Sequence, residues 1–154
     1  MRAITVRRER VMSIPADVLW QFIEPARTLP AWLPLADKCE PTSGQGLGRR
    51  QRMYAKWGGK TSEIDQEVIA YEPNRLLRWK HLDERMNGKP APRFSTEVTF
   101  TIECESIGPG TRVALESKSV PAGALAAIML RLVASRRIGK ALDRALETLA
   151  SAGS

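Results

Sequence analysis

The fold of this chain is decided by residues 49–71, which read RRQRMYAKWGGKTSEIDQEVIAY. The Gly58-Gly59 pair is the two-residue turn signal that closes a tight β-hairpin. With the glycines at the tip, one face pairs Arg52 with Asp65, Arg50 with Glu67 and Tyr54 with Glu63. The other face pairs Met53 with Ile64, Ala55 with Ser62 and Gln51 with Gln66. A shift of one residue would mix the two sets, so we expect the charged face to meet solvent and the Met53 face to look inward.

Alternation of apolar and polar residues predicts further strands on both sides of this hairpin. The candidate stretches are residues 4–11, 77–81, 94–104 and 111–115. In the second of them Leu77, Trp79 and His81 alternate with Arg78 and Lys80, which places His81 on the inward face. Residues 83–92 read as a polar loop.

Three helices are predicted from proline positions and apolar spacing. Pro15 and Asp17 suit a first helical turn, whereas Pro25 and Pro30 end that helix and leave room for only a short second one. A long helix is expected over roughly residues 122–150. Its apolar residues fall along one stripe that we expect to face the sheet: Leu125, Ile128, Met129, Leu132, Leu142, Leu146 and Leu149.

Length and composition indicate one domain over residues 1–154, with no apolar run long enough to span a membrane. The N-terminus has no signal-peptide pattern, so we expect a cytoplasmic location. The net charge is +7 but is spread along the chain without a nucleic-acid-binding motif, so no nucleic acid is expected as a partner. Membrane contact through Arg137, Lys140 and Arg144 is possible but disfavoured, because a charged outer helix face is usually only solvated.

The chain has too few ligands for a metal site and no motif for a catalytic one. His81 is its only histidine, and Cys39 and Cys104 are distant in sequence, so we expect no metal and two free thiols. One histidine without a surrounding motif does not make a catalytic triad. We therefore assign no catalytic residue and no cofactor.

Five short motifs, in the same order along the chain, resemble the SRPBCC superfamily of START-like and polyketide cyclase/dehydrase-like proteins. They are IPADVLW at 14–20, WLP at 32–34, GLG at 46–48, YEPNRLL at 71–77 and GTRV at 110–113. Ile14 stands where the family usually has Ala, which is a change of size at a packed corner. The resemblance implies an α+β helix-grip fold. In that fold a seven-stranded curved antiparallel sheet wraps around a long C-terminal α-helix, with two short helices between strands 1 and 2.

The resemblance further implies a cavity between sheet and helix, and from the inward faces we expect these ligand-binding residues: Gln51, Met53, Gln66, Trp79, His81, Val98, Phe100, Ile128, Met129 and Leu132. Other interpretations stay open for some of them. Gln51 and Gln66 could bond each other or meet water, His81 could bond a neighbour, and Trp79 and Phe100 could be ordinary core aromatics.

Members of this superfamily bind lipids, sterols, polyketides, quinones or plant hormones, and some cyclise or dehydrate their ligand. We therefore expect this protein to bind or carry a small hydrophobic molecule. One alternative is a polyketide cyclase/dehydrase-like enzyme that uses the same cavity, and a second is a co-chaperone-like protein-interaction module. No shared catalytic set can be transferred, because a fold does not determine a function. The oligomeric state is left open.

Overall fold

The computed structural model describes residues 2–57 and 59–152. Its elements run β1 (Ile4–Met12), α1 (Ala16–Ile23), a 3-10 turn (Ala26–Thr28), α2 (Leu29–Trp32), β2 (Lys38–Ser43), β3 (Arg50–Trp57), β4 (Lys60–Glu72), β5 (Leu76–Met86), β6 (Lys89–Pro90), β7 (Ser95–Ile107), β8 (Gly110–Pro121), α3 (Ala124–Met129), a π-helical turn (Leu130–Ala134) and α4 (Ser135–Ala152). The strands form one curved antiparallel sheet in the order β1-β8-β7-β5-β4-β3-β2, with β6 added to β5. This is the expected helix-grip fold.

The central hairpin has the predicted register at every pair named above. Trp57 pairs with Lys60, which leaves two residues for the turn, and Gly59 has a φ of +83°. Gly58 lies outside the described residues. On the outer face the Arg52 Nε donates to Asp65 Oδ1 at 2.9 Å, and Arg85 bonds the other oxygen of the same carboxylate at 3.1 Å. The charges therefore pair across strands, as the alternation predicted.

The hydrophobic core fills one end of the concave face of the sheet. Helices α1, α2 and α4 close over that end, and the fully buried side chains are Leu19, Ile23, Leu29, Leu33, Leu77, Ile102, Leu115, Leu142 and Leu149. The Trp32 indole N–H donates to the Phe22 carbonyl oxygen at 3.0 Å, which ties α2 to the end of α1. Because each of these side chains is sealed from water, this end is a packed core and leaves no room for a ligand.

Two details of the sheet differ from the sequence-based expectation. Eight strands are present where seven were predicted, because Lys89–Pro90 adds a two-residue pairing to the edge of β5. In addition, β5 continues to Met86, into the stretch that was expected to be a polar loop.

The C-terminal helix is interrupted by the π-helical turn at Leu130–Ala134. The Ser135 N–H and the Ser135 hydroxyl both donate to the Leu130 carbonyl oxygen, the latter at 2.6 Å. A π turn adds about one residue to the helical period, which rotates the two halves of the helix relative to each other by roughly 100°.

This rotation makes the prediction of one continuous apolar stripe wrong for the first half of the helix. Leu142, Leu146 and Leu149 are buried as expected. No residue of the segment 124–134 is buried, and the apolar residues expected to face the sheet are exposed: Leu125, Ile128, Met129 and Leu132. The first half of the helix therefore turns these side chains toward solvent.

The two thiols behave as predicted. Cys39 and Cys104 are both free and both buried, and burial raises the pKa of each thiol to about 12. A thiol of that pKa stays protonated and unreactive at neutral pH. Within residues 2–57 and 59–152, no helix has both the length and the apolar character needed to cross a bilayer.

Candidate functional site

The concave face of the sheet is organised in rows that run across the strands. The middle row consists of Val68, Trp79, Phe100 and Ser117, which stand opposite one another in β4, β5, β7 and β8. The rings of Trp79 and Phe100 stack with centroids 5.0 Å apart and an angle of 17° between planes. Both side chains are buried, so they form an apolar floor beneath the face.

The next row contains Gln51 and Gln66, the two glutamines that were predicted to pair on the inward face. Gln51 Nε2 donates to Gln66 Oε1 at 2.7 Å, and Arg49 Nη2 donates to Gln51 Oε1 at 3.0 Å. Gln66 Nε2 lies 3.7 Å from the sulfur of Met53. Both glutamines and Met53 are buried. The interpretation in which the amides bond each other is therefore confirmed. They support the face from within, since their side chains have no accessible surface to offer a ligand.

Arg49 anchors this row at its far end. Its Nη1 donates to the carbonyl oxygen and to the carboxylate of Glu24, both at 2.8 Å. The Arg49 side chain is 7% exposed, and its Nε has no hydrogen-bond partner among the described residues. The row is thus a buried polar chain that runs from Glu24, directly after α1, to Gln66, which stands opposite His81.

His81 is the accessible polar group of the row. The residue is half-buried, so part of it stays accessible on the concave face. Burial lowers the pKa of the imidazole from 6.5 to about 4, so the ring is neutral at pH 7. No hydrogen bond to the ring is found within the part of the chain that the structure describes.

A β-bulge brings a second titratable side chain to the same face. The β4–β5 register shifts between the Ile64 and Gln66 positions, so that Leu82 and Asp83 together oppose one residue. Glu84 then stands opposite Ile64 and shares the concave face with His81. Their partners are two positions apart on β4, which corresponds to about 7 Å along the strand.

Sequence reasoning missed Glu84 because the bulge has no signal in the sequence. Glu84 is an exposed residue, but neighbouring protein atoms partly desolvate its carboxyl and raise its pKa, and the nearby Ser62 hydroxyl lowers it in part. The Ser62 Oγ is itself buried and has no hydrogen bond of good geometry among the described residues. A buried hydroxyl without a partner costs about 1–3 kcal/mol, so such groups are rare unless water or a ligand satisfies them.

These side chains lie at the end of the concave face that the core leaves open, which we call the open end. It is formed by Ser62, His81, Glu84, Met86 and Val98, of which Met86 and Val98 are half-buried. In the helical segment 124–134, the half-buried residues are mostly small: Ala126, Ala127, Leu130 and Ala134. The predicted helix residues Ile128, Met129 and Leu132 are not part of the open end, because they are exposed on another side of the helix.

Two clefts elsewhere on the surface are less suited to an apolar ligand. A cleft of about 850 Å³ lies beside the glycine-rich loop that precedes β3, but the Arg49 cation on its wall is already paired with Glu24. A cleft of about 550 Å³ lies against β1, β5, β7 and β8, and ion-paired side chains such as Arg7, Glu103 and Arg112 line it. Within the described residues no cluster of metal-binding side chains is found.

The low pKa of His81 predicts a specific pH dependence of stability. The unfolded chain takes up the proton near pH 6.5 and the folded protein only near pH 4, so the free energy of unfolding falls as pH drops through this window. The slope approaches roughly 1.4 kcal/mol per pH unit below pH 6.5, which gives a loss of about 1.6 kcal/mol between pH 6.5 and pH 5. Urea unfolding at both pH values measures it. The variant His81→Gln should lack this part of the loss, and an equal loss in both proteins would contradict the buried position of the ring.

Known proteins resemble this chain both in family sequence pattern and in fold. The family described as polyketide cyclase / dehydrase and lipid transport matches the chain over residues 3–153. Among solved structures, the Zhui aromatase/cyclase from a Streptomyces species is 16% identical, with a TM-score of 0.71 and 99% of each chain covered. The ginseng major latex-like protein 151 from Panax ginseng is 10% identical, with a TM-score of 0.73, and 98% of this chain and 97% of that one are covered.

A third structural relative comes from Thermus thermophilus. The protein TTHA0849 is 18% identical, with a TM-score of 0.74, and 96% of this chain and 94% of that one are covered. At these identities the likeness concerns the fold alone. No curated protein matches the chain in sequence.

Proposed function

Because this chain belongs to the polyketide cyclase/dehydrase and lipid transport family, we propose that it binds and carries a small, mostly apolar molecule on its concave face. One observation carries the proposal: at the open end, inward-facing side chains of β5 and β7 remain accessible beside a buried aromatic floor. A mostly apolar pocket with a few placed polar groups is the usual form of a small-molecule site. We propose that it acts as a single domain in the cytoplasm.

The side chains at the open end suggest how such a molecule would be oriented. Its apolar body would lie along Val98 and Met86, over the floor made by Trp79 and Phe100, where burial contributes about 25 cal/mol per Å² of apolar surface. Its polar end would meet His81 and Glu84. A hydroxyl group fits these partners best, because it can donate to the carboxylate and bond the neutral imidazole.

The same partners disfavour a charged carboxylate at that end of the ligand. Glu84 would repel a second anion placed beside it, and water screens part of that repulsion because Glu84 is exposed. We therefore expect long-chain alcohols and phenols to bind more tightly than fatty acids of the same length. Gln51 and Gln66 would act indirectly, by fixing the strands behind His81.

The test is binding of a neutral apolar fluorophore, N-phenylnaphthylamine, to the native protein and to two matched variants. Val98 faces inward at the open end, and its neighbour Thr99 pairs with Lys80 and Lys118 on the opposite face of the sheet. Val98→Trp fills the space, so we expect binding to weaken at least tenfold (about 1.4 kcal/mol). Thr99→Trp adds the same bulk outside, and we expect its affinity to stay native.

Circular dichroism and thermal melting establish that both variants are folded. If the native protein binds no fluorophore, or if a folded Val98→Trp variant binds it as well as Thr99→Trp does, the proposal fails. The fluorophore is neutral so that the net charge of +7 does not attract it to the surface.

A second candidate function is catalysis of proton transfer on a ligand bound at the open end. The observation that favours it is the placement of His81 and Glu84 on one face, with environments that move their pKa values from the ordinary ones. Pairs of this kind supply the base and the acid of many cyclising and dehydrating reactions. The test is exchange of the α-protons of an aromatic methyl ketone for deuterium in heavy water. Catalysis by the native protein that is lost in His81→Gln would favour an enzyme, and the absence of exchange would favour a carrier.

A further inference from the structure

The outward side of the C-terminal helix carries an exposed apolar run. Five large side chains within nine residues are exposed by about half or more: Leu125 74%, Ile128 55%, Met129 47%, Leu132 63% and Val133 64%. Ile128 and Leu132 lie two residues to either side of half-buried Leu130, which puts them on the opposite side of the helix from it. A contiguous exposed patch of this kind marks a surface that contacts another body.

The apolar run leads directly into a cationic run on α4, formed by Arg136, Lys140 and Arg144. Lys140 and Arg144 lie two residues to either side of buried Leu142, so they too point away from the sheet. Between Pro121 and Leu142 the chain has four cationic residues, Arg131, Arg136, Arg137 and Lys140, and no aspartate or glutamate, whereas Asp143 and Glu147 lie close to Arg144 in the sequence. The outward side of the helix is thus apolar over residues 125–133 and cationic over residues 136–144, and Glu147 follows as an exposed acidic residue on the same side.

We propose that this side of the helix docks on an anionic lipid bilayer. The apolar run would lie at the boundary of the acyl chains, and the cationic run would contact the headgroups. Interfacial helices bind membranes through this combination of apolar side chains with lysine and arginine, and anionic lipids attract such cations. Docking of this type does not require a membrane-spanning helix, and none is found among the described residues.

Other binding partners would contact either the apolar run or the cationic run favourably, but not both. A second copy of this chain would bring the same cationic run and the same net charge of +7, which repels the first. A nucleic acid would pair with the cations, because its phosphates dominate binding, but it would leave five large apolar side chains in water. An anionic bilayer satisfies both halves at once.

The docking surface is separate from the proposed ligand site. The open end is formed by side chains of β4, β5 and β7, and the bilayer would meet the exposed side of residues 124–134. Fluorophore binding at the open end and vesicle binding at the outward side are therefore independent measurements, and either can fail without the other.

The test uses sedimentation with vesicles of phosphatidylcholine alone and of phosphatidylcholine mixed equally with phosphatidylglycerol. We expect the native protein to bind the anionic vesicles at least tenfold more tightly than the neutral ones. The double variants Ile128→Ser/Leu132→Ser and Arg136→Glu/Lys140→Glu should each weaken that binding at least tenfold. The control Lys56→Glu/Lys118→Glu makes the same change of net charge at exposed lysines on the sheet and should bind as the native protein does.

Three results would overturn the proposal. The first is absence of native binding to the anionic vesicles, and the second is equal weakening in the control, which would mean that net charge alone attracts the protein. The third is unchanged vesicle binding by Ile128→Ser/Leu132→Ser, accompanied by a change from dimer to monomer in analytical ultracentrifugation, which would make the face an interface between copies. If the double variant does not fold, the single variant Leu132→Ser gives the same readout.

Discussion

Replacing Gly110 by alanine should lower the free energy of unfolding by about 3 kcal/mol, near the upper end of what overpacking costs. A methyl group on Gly110 would overlap the backbone carbonyl oxygen of Met12, in the adjacent strand β1. Backbone atoms cannot move aside as a flexible side chain can, so β1 and β8 would have to separate where Met12 pairs with Thr111. The same corner holds the buried hydrogen bond from the Thr111 hydroxyl to the Ile14 carbonyl oxygen, at 2.7 Å.

The matched control is Gly108→Ala in the same turn. Gly108 has a φ of +81° and open space around the position of an added methyl group. Its substitution should therefore cost only the backbone strain, about 1 kcal/mol. Urea unfolding of both variants measures the difference, and equal losses would mean that β1 does not lie against β8 as described.

Removing the Glu24 carboxylate should lower the free energy of unfolding by a similar amount, because it leaves the buried Arg49 cation without its counter-charge. The two groups are 2.8 Å apart, and the Arg49 side chain is only 7% exposed. Breaking a buried ion pair from one side typically costs about 3–5 kcal/mol. Glu24 is itself 28% exposed, so we expect Glu24→Ala to lie at the lower end, near 3 kcal/mol.

Two further variants make this expectation specific. The Arg7–Glu9 pair has a nearly equal distance of 3.0 Å but exposed side chains, so Glu9→Ala should cost less than about 1 kcal/mol. The double variant Glu24→Ala/Arg49→Met removes both charges and should be more stable than Glu24→Ala alone, because no unpaired charge then stays buried. If Glu24→Ala and Glu9→Ala cost the same, the buried polar chain behind His81 does not contribute as described.

The central hairpin shows how much of this fold follows from local sequence. Two adjacent glycines and a charge pattern with a period of two determined every pair between β3 and β4, because only one register separates the charged set from the uncharged set. The inward placement of Gln51, Trp79 and Phe100 followed from the same alternation. The short motifs that resemble the SRPBCC superfamily then predicted the layout of the remaining elements.

The features that shape the candidate site were not predictable in this way. The bulge at Leu82 and Asp83 and the π turn at residues 130–134 each displace the pattern by about one residue. Neither has a sequence signature, because both result from how the long elements pack against the rest of the fold. The first brought Glu84 to the concave face, and the second turned Ile128, Met129 and Leu132 away from it.

The central claim is that a small apolar molecule binds at the open end, beside His81. Because His81 is the only histidine, its ring gives a single, readily assigned set of NMR signals in a titration with N-phenylnaphthylamine. We expect these signals to shift and saturate at the same ligand concentration as the fluorescence, and to show no ligand-induced shift in the Val98→Trp variant. Saturating fluorescence without any shift of the His81 signals would contradict the central claim.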